Sequence, residues 1–401
     1  MLFVFLSFIT IVVSGHTNDV KRLIDTLYMN NYSKILRPHY RHHPVVVMCS
    51  LDLATVSEVS EVDMDMTSEI YLTQYWLDNR VEPEEDLILT ELNSRFLWRP
   101  DTFFPNSKEG GLHDVTQQNI DFHIHRTGLI KLTTRLTIRT YCPMDFTLFP
   151  LDNQHCNIFI ESFSMPIEEA VYVWEIGADN PQSRTRGFDD DLAKSEDELH
   201  IAFIGDNHDH IVWDSNIHLT KMTQFSITGI DLEEENATRD DGRIHSRLKV
   251  TISMSRGSGY YIIQIYIPSC LLVVMSMLTF CLSRPEAYPA RINLGVAATL
   301  AMTIALSTQN LGPMPRVSYF RAVDVYLLFC FVMIFLTLVE SAFINYISSR
   351  KKTGPTTASN VIITSNNIDR FSQLAFPTVF FSFNIIYWLF YLSFSVNVGD
   401  M

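Results

Sequence analysis

Four long apolar segments in the C-terminal part of this 401-residue chain constrain its fold more than any other feature. They cover residues 259–282, 290–311, 323–346 and 374–396. Each approaches or exceeds the roughly 20 residues that a helix needs to cross about 30 Å of hydrocarbon. A buried helix of a soluble protein explains any one of them, but not four in sequence. The sequence therefore predicts a membrane protein with four spanning helices, and it excludes a simple soluble enzyme.

The region before these segments has the features of an exported domain. Residues 1–13 are apolar and small residues follow, which predicts a signal peptide over residues 1–15, with a buried N-terminal helix as the alternative. Residues 44–256 alternate apolar and polar side chains between turn signals, the pattern of strands. The predicted fold is an extracellular antiparallel β-sandwich followed by a four-helix transmembrane bundle. A short amphipathic helix is expected at residues 21–29 and an exposed loop at 177–207.

The charge distribution orients the chain and excludes some partners. Lysines and arginines concentrate in the connections that would be cytoplasmic, which places both termini outside the cell. The net charge of −15 argues against nucleic acid as a partner. Neither a catalytic motif nor a cofactor motif is evident, so we expect no enzyme activity and no cofactor. The expected domains are residues 1–15 (signal peptide), 16–258 (extracellular), 259–346 (first three transmembrane helices), 347–373 (short cytoplasmic loop), 374–396 (fourth helix) and 397–401 (extracellular tail).

Cysteines and sequons agree with an exported domain. Cys142 and Cys156 are the most economical disulfide pair, since the other cysteines lie in apolar segments or have no obvious partner. Closing this loop is worth about 3 kcal/mol in the chain-entropy model. Asn31 and Asn236 each begin an Asn-x-Ser/Thr glycosylation sequon.

The second apolar segment is the least hydrophobic of the four and has the features of a pore lining. Asn293, Ala297, Leu300, Ile304 and Ser307 recur at helical spacing and form one stripe. Leu300 and Ile304 would be a hydrophobic gate that closes by dewetting. The alternative is that the small and hydroxylic residues of this segment only mediate helix packing.

The start of this segment, Pro289-Ala290-Arg291, suggests the sign of the permeating ion. Repeated around a symmetric pore, Arg291 would form a ring of positive charge, reinforced by the positive ends of the helix dipoles. No carboxylate lies in the first turn to offset it. We therefore expect a pore that favours anions. The alternative is that Arg291 is only an interfacial anchor.

Several motifs resemble those of one known family. They are residues 142–156 (CPMDFTLFPLDNQHC), 98–104 (WRPDTFF), 289–291 (PAR), 368–377 (IDRFSQLAFP), and Pro268 in the first span. The chain resembles the Cys-loop receptors, the pentameric ligand-gated ion channels, and within them the anion-selective branch of glycine, GABA type A and invertebrate glutamate-gated chloride channels. The resemblance implies five subunits around a chloride pathway, with agonist bound between neighbouring extracellular domains.

The resemblance also implies ligand-binding residues on two faces of each subunit. Those of the principal face are Phe103, Glu161, Ser162, Phe163 and, in the capping hairpin, His245; those of the complementary face are Tyr71, Thr73, Thr133 and Arg135. A ring face and a carboxylate both stabilise a ligand ammonium, although each aromatic residue is equally consistent with the sandwich core. Thr73 stands where relatives commonly have an arginine for the agonist carboxylate. Either Arg135 replaces that arginine, or the chain contributes only its principal face to a mixed pentamer.

Two further hypotheses concern charged residues outside the ligand site. Asp152 and Arg256 are expected to form a partly buried ion pair near the membrane, close to the acidic turn at Glu61, that couples ligand binding to the gate. The alternative is a solvated pair worth under about 1 kcal/mol. Weak candidates for zinc or proton binding are His123, His125, His208 and His210, spaced at i and i+2, with ordinary surface residues as the alternative.

The functional expectation is a subunit of a neurotransmitter-gated chloride channel in the plasma membrane, postsynaptic, with GABA or glycine as the agonist. A biogenic-amine-gated or proton-gated anion channel is the alternative, as is a cation-selective or a non-binding accessory subunit of the same family. The expected partners are a small-molecule neurotransmitter, chloride ions, other subunits of a homo- or heteropentamer, and membrane lipid.

Overall fold

The computed structural model of the chain describes residues 21–25, 27, 31–89, 94–175, 222–281, 288–309, 317–349 and 358–399. The predicted signal peptide and the loop predicted at 177–207 lie outside these residues, as do His208 and His210. Residues 21–25 and 27 are helical, within the short helix expected there.

Strands of the described extracellular region form two sheets. The strands are β1 (Val45–Ser60), β2 (Asp65–Leu77), β3 (Leu87–Leu89), β4 (Thr102–Phe103), β5 (Ser107–Leu112), β6 (Ile120–Ile124), β7 (Leu129–Tyr141), β8 (Asn153–Ser162), β9 (Ala170–Trp174), β10 (Phe225–Thr238) and β11 (Ile244–Arg256). One sheet has the order β3-β6-β7-β2-β1-β9, with β5 also paired to β7, and the other has the order β10-β11-β8-β4. The predicted sandwich is confirmed, with one difference: β1 and β9 pair in parallel. Local alternation of side chains does not reveal strand direction, so this pairing was not predictable from period alone.

The core of the sandwich follows from that alternation. Along β11 every second residue is buried, including Leu248, Val250 and Ile252. Trp76, nearly inaccessible in β2, meets the rings of Trp98 and Phe122 edge to face at 6.1 Å each. Burial of one large apolar side chain contributes about 1.5–3 kcal/mol. Charged and aromatic residues lie on the outer face of the four-stranded sheet.

Four helices of the described chain are long and apolar enough to cross a membrane, over Gly259–Phe280, Pro289–Ser307, Ala322–Tyr346 and Arg370–Phe394. The first comprises an α-helical turn (Gly259–Tyr261), a π-helical segment (Ile262–Tyr266), helix α1 (Ile267–Met277) and a 3₁₀ turn (Leu278–Cys281). The others are α2 (Tyr288–Gln309), α3 (Ala322–Ser349) and α4 (Ala358–Gly399). These spans confirm the predicted bundle. Because α4 begins at Ala358, much of the segment expected as a cytoplasmic loop at 347–373 is helical.

The sandwich rests on the helices through the disulfide loop. The backbone N–H groups of Ala322 and Val323, at the start of α3, donate to the carbonyls of Thr147 and Phe149 at 3.0 and 3.2 Å. The Tyr319 hydroxyl accepts a hydrogen bond from the Phe146 N–H at 2.9 Å. Two of the N–H groups at the α3 N-terminus are thus satisfied by the extracellular domain, which ties the two domains together.

Candidate functional site

The predicted principal face brings three residues together at one edge of the four-stranded sheet. Strand β4 pairs with the end of β8, so Phe103 lies opposite Glu161. Phe163 follows the end of β8, and its ring meets that of Phe103 edge to face at 5.2 Å. Phe163 is exposed, whereas Glu161 is almost fully buried. Two ring faces and a carboxylate form a box suited to a cation.

Ser162 has a different role from its neighbours. Its side chain is buried, its hydroxyl donates to a carboxylate oxygen of Asp101, and its oxygen accepts the Met165 N–H at 2.9 Å. These bonds hold the turn after β8 and so position Phe163. The Ser162 side chain therefore supports the box, whereas its backbone carbonyl is available to a cation inside it.

The box contains a cation of the chain itself, which the sequence analysis missed. Nη2 of Arg239 donates to Oε1 of Glu161 at 2.7 Å and to the Ser162 carbonyl at 2.9 Å. Nη1 donates to the Phe163 carbonyl. The guanidinium carbon lies 5.1 Å from the Phe103 ring centroid and 5.7 Å from that of Phe163. A second missed arginine, Arg247, donates from Nε to Oε2 of Glu161 at 2.7 Å.

His245 does not present its ring to this box as expected. It is fully buried, and neither ring nitrogen makes a hydrogen bond to the described part of the chain. His245 pairs with the small residue Ala237 and lies two residues from Arg247 on the same face of β11, so its burial, and not the face it occupies, withholds its ring from a ligand. In the structure Arg239 and Arg247, and not His245, are the hairpin residues that hydrogen-bond to Glu161.

The complementary-face residues lie together on the other sheet. Tyr71 is opposite Arg135, and Thr73 is opposite Thr133, across the β2–β7 ladder. The two threonine hydroxyls are 3.0 Å apart. The Arg135 guanidinium lies 5.7 Å from the Tyr71 ring centroid and is hydrogen-bonded to Glu69. The only cation among these four residues is thus partly neutralised within its own subunit, although 34% of its side chain is exposed.

The predicted pair of Asp152 and Arg256 is present and fully buried. Nε and Nη2 of Arg256 donate to the two carboxylate oxygens of Asp152 at 2.7 and 3.1 Å, and Nη1 donates to Glu61. Phe225 lies 4.5 Å from the guanidinium carbon. Burial opposes the charge of Arg256, but hydrogen bonds to Asp152 and the charges of Asp152 and Glu61 raise its pKa above the usual value. The arginine is a permanent cation, and the solvated alternative does not describe this pair.

The remaining extracellular predictions occupy separate places. Cys142 and Cys156 form the predicted disulfide, with Cα atoms 4.9 Å apart. Asn31 and Asn236, the two sequon residues, are both exposed. His123 is 2.8 Å from Asp121, whereas His125 is 3.5 Å from Asp86, so each histidine has its own carboxylate partner. Within the described residues, groups of three or more potential metal ligands are not found.

The stripe predicted to line the pore lies on one exposed side of α2. The side chains of Asn293, Ala297, Leu300, Ile304 and Ser307 are all exposed, as are Pro289 and Ala290 at the start of the helix. On its other side α2 packs tightly on α3: a Cβ placed at Gly295 would lie 2.9 Å from Leu338 Cδ1. The glycine permits this close approach, which directs the predicted stripe away from α3.

Arg291 is not on that exposed side. Its side chain is fully buried, and Nη2 lies 3.6 Å from Oε2 of Glu340 on α3. As expected, the first turn of α2 contains no carboxylate, but Glu340 offsets Arg291 from the neighbouring helix α3. If the exposed stripe of α2 lines a pore, Arg291 lies on the buried side of the same helix. The negative charge of Glu340 then reduces the effect of Arg291 on an ion in that pore.

These features define a class: a multi-pass plasma-membrane protein that joins a disulfide-bonded β-sandwich to a four-helix bundle. A family model described as neurotransmitter-gated ion-channel ligand binding domain matches residues 20–227. A second, described as neurotransmitter-gated ion-channel transmembrane region, matches residues 265–362. The chain belongs to the neurotransmitter-gated ion-channel family. Its members are receptors and not enzymes, in agreement with the sequence prediction.

Three relatives extend the match through both domains. The gamma-aminobutyric acid receptor subunit beta-4 of Gallus gallus is 31% identical over 337 residues, 83% of this chain and 62% of the relative. The beta-like subunit of Drosophila melanogaster is 31% identical over 350 residues, 84% of this chain and 63% of the relative. The beta subunit of Lymnaea stagnalis is 32% identical over 349 residues, 83% and 62% respectively. The chain thus spans less than two thirds of the length of these relatives.

Proposed function

We propose that this chain is one subunit of a pentameric neurotransmitter-gated chloride channel, with agonist bound between neighbouring extracellular domains. The observation that carries the proposal is the exposed stripe of α2, from Asn293 to Ser307. The buried side of the same helix packs against α3. Five such helices would enclose a pathway lined by small polar groups and narrowed by Leu300 and Ile304. The proposal also places both termini outside the cell and the channel in the postsynaptic membrane.

Anion preference follows from the field at the start of α2. The first turn of this helix contains no acidic residue. In a pentamer, the positive dipole ends of five helix N-termini would surround the pathway, and no carboxylate in that turn would offset them. Arg291 adds positive charge behind that turn, and Glu340 lowers its net contribution.

Both GABA and glycine fit the chemistry of the two faces. Each has an ammonium group for the box of Phe103, Glu161 and Phe163, and a carboxylate for the complementary face. The relatives are named gamma-aminobutyric acid receptor subunits, which favours GABA. Arg135 is the candidate partner for the carboxylate, since Thr73 carries no charge. An amine without a carboxylate is the alternative agonist class, because Arg135 is already bonded to Glu69.

The experiment is voltage-clamp recording from cells that express the full chain, with a panel of GABA, glycine, biogenic amines and mild acid. For a chloride channel the reversal potential should move by about 59 mV per tenfold change in chloride. A reversal potential that follows sodium and potassium would establish a cation channel. Current that requires a co-expressed subunit would establish an accessory role.

Cysteine substitution tests the pore stripe directly. Cysteines at Asn293, Leu300 and Ser307 should be modified by a water-soluble thiol reagent that then blocks current. The matched control is Met302 on the same helix, which is fully buried. Modification at position 302 with protection at 300 would place a different face of α2 in the pathway.

A further inference from the structure

The box formed by Phe103, Glu161, Phe163 and the carbonyls of residues 162 and 163 is already filled by Arg239. Arg239 makes two hydrogen bonds from Nη2, one from Nη1 and two ring contacts. These are all the kinds of interaction that the box offers a cation. A ligand ammonium would need the same carboxylate oxygen and the same ring faces. The two cations therefore exclude each other by volume and by charge.

The hairpin between β10 and β11 holds Arg239 in this position. The Arg239 N–H donates to the Arg243 carbonyl at 3.0 Å, and the Gly242 N–H donates to the Arg239 carbonyl at 2.9 Å. Gly242 has φ of +80°, and the Asp241 carboxylate accepts the Arg243 N–H at 2.9 Å, so the turn is well formed. Arg239 thus enters the box because of the position of the turn.

We propose that Arg239 is a tethered competitor for the agonist's ammonium group, and that an agonist binds the principal face only when the hairpin withdraws this arginine. The inference rests on the proposed function, since the box opposes agonist only if it is the agonist site. The fraction of subunits with Arg239 out of the box sets the apparent affinity of the agonist.

The alternative, that Arg239 binds an agonist carboxylate, is disfavoured by its contacts. Both terminal nitrogens are already bonded to oxygens of the box, and its charge is partly neutralised by Glu161. Removal of Arg239 would leave Glu161 paired with Arg247, which contacts the other carboxylate oxygen. The box should therefore survive substitution of Arg239 and gain room for a ligand.

The test compares full-length wild type, Arg239→Ala, Arg239→Lys and the matched control Arg243→Ala. Arg243 belongs to the same turn and pairs with Asp241, but it makes no contact with Glu161 among its described bonds. The probes are GABA, glycine and butylamine, the last of which tests the ammonium group alone. Both half-maximal concentration for current and binding of radiolabelled GABA to membranes are measured.

Arg239→Ala should lower the half-maximal concentrations of GABA and butylamine about tenfold or more. Arg239→Lys should shift them less, since it keeps a cation, and Arg243→Ala should leave them unchanged. Adding Glu161→Gln to Arg239→Ala should remove the gain. Unchanged or weakened binding in Arg239→Ala would overturn the proposal, because a competitor cannot improve the binding it opposes.

A Leu300→Ser background separates the two proposals. If Leu300 is part of the gate, this change should produce chloride current without agonist, which reports assembly and conduction. Absence of that current would count against the proposed channel, and the membrane-binding measurement would still judge Arg239. Spontaneous chloride current together with unimproved binding in Arg239→Ala would reject the tethered competitor alone.

Discussion

At each end of strand β11, arginine and carboxylate groups lie together among aromatic rings. The central group is an arginine at one end and a carboxylate at the other. At the membrane end one arginine, Arg256, bonds two carboxylates, Asp152 and Glu61. At the far end one carboxylate, Glu161, bonds two arginines, Arg239 and Arg247. The group at the centre of the first cluster is thus a cation, whereas the group at the centre of the second is an anion, one of whose partners, Arg247, also contacts Glu235 at 3.4 Å.

The clusters also differ in exposure, which decides whether their partners can exchange. The Arg256 side chain has no exposed surface, whereas 24% of the Arg239 side chain is exposed. A buried charge that loses its partner cannot be rescued by water, so the membrane-end cluster is a fixed joint. The other cluster lies at an edge where a ligand cation can replace one arginine. One strand thus connects an exchangeable ion pair to a permanent one.

The largest effect is expected for Arg256→Gln, which leaves Asp152 and Glu61 buried without their cation. Loss of one partner of a buried pair costs about 3–5 kcal/mol. We expect thermal unfolding of the detergent-solubilised chain at markedly lower temperature, and little protein at the cell surface. Glu61→Gln should be milder, because Asp152 keeps both of its bonds to Arg256. An unfolding temperature unchanged in Arg256→Gln would contradict the description of this cluster as a fixed joint.

Glu161→Gln should have a smaller effect on stability. It removes the carboxylate from Arg239 and Arg247, but both guanidinium groups reach solvent in part. Loss of hydrogen bonds to a charged group costs on the order of 1–3 kcal/mol, and solvent lowers that figure here. The same thermal unfolding measurement should therefore rank Glu161→Gln above Arg256→Gln in stability. The reverse ranking would show that the far-end cluster is the more tightly held.

Gly242→Ala tests the turn that holds Arg239. Its φ of +80° disfavours alanine and most other residues with a Cβ by about 1–2 kcal/mol. We expect a less stable hairpin and a several-fold lower half-maximal concentration of GABA, since Arg239 would leave the box more often. Gly242→Asn is the matched control, because asparagine tolerates this conformation, and it should retain wild-type affinity. Equal shifts in both variants would mean that the backbone conformation at this turn is not the cause.

Local patterns predicted the fold, whereas long-range contacts decided the details of the sites. The spanning helices and strands such as β11 follow from hydropathy and alternation over a few residues. The parallel pairing of β1 with β9 joins segments far apart in sequence, and alternation carries no information about it. The disulfide was predictable from the few cysteines left outside the apolar segments.

The site predictions failed where a charge found its partner on another element. Arg291 was expected to contribute to a ring of positive charge around a pore, with no carboxylate in its first turn to offset it, but Glu340 approaches it from α3. Arg239 was overlooked because an arginine at the end of a strand is ordinarily solvated. One signal was available: the Asp240-Asp241-Gly242 turn sets the hairpin register and places Arg239 beside Arg243, on the face that carries Arg247.

The smallest effect is expected for acidification and for Asp241→Asn. A backbone hydrogen bond and then a side-chain hydrogen bond from Arg243 hold the pKa of Asp241 below its usual value. The folded pKa is thus lower than the unfolded value of about 3.9, so this carboxylate stabilises the turn above about pH 4 and ceases to do so as the pH falls through the folded pKa. Concentration–response curves for GABA between about pH 5 and pH 8 should therefore show no shift caused by Asp241. Because the pair is exposed, Asp241→Asn should change the half-maximal concentration less than about fivefold at neutral pH. A pH-dependent shift in that range that persists in Asp241→Asn would not come from Asp241, whereas one that disappears would mean that the turn titrates far above its expected range.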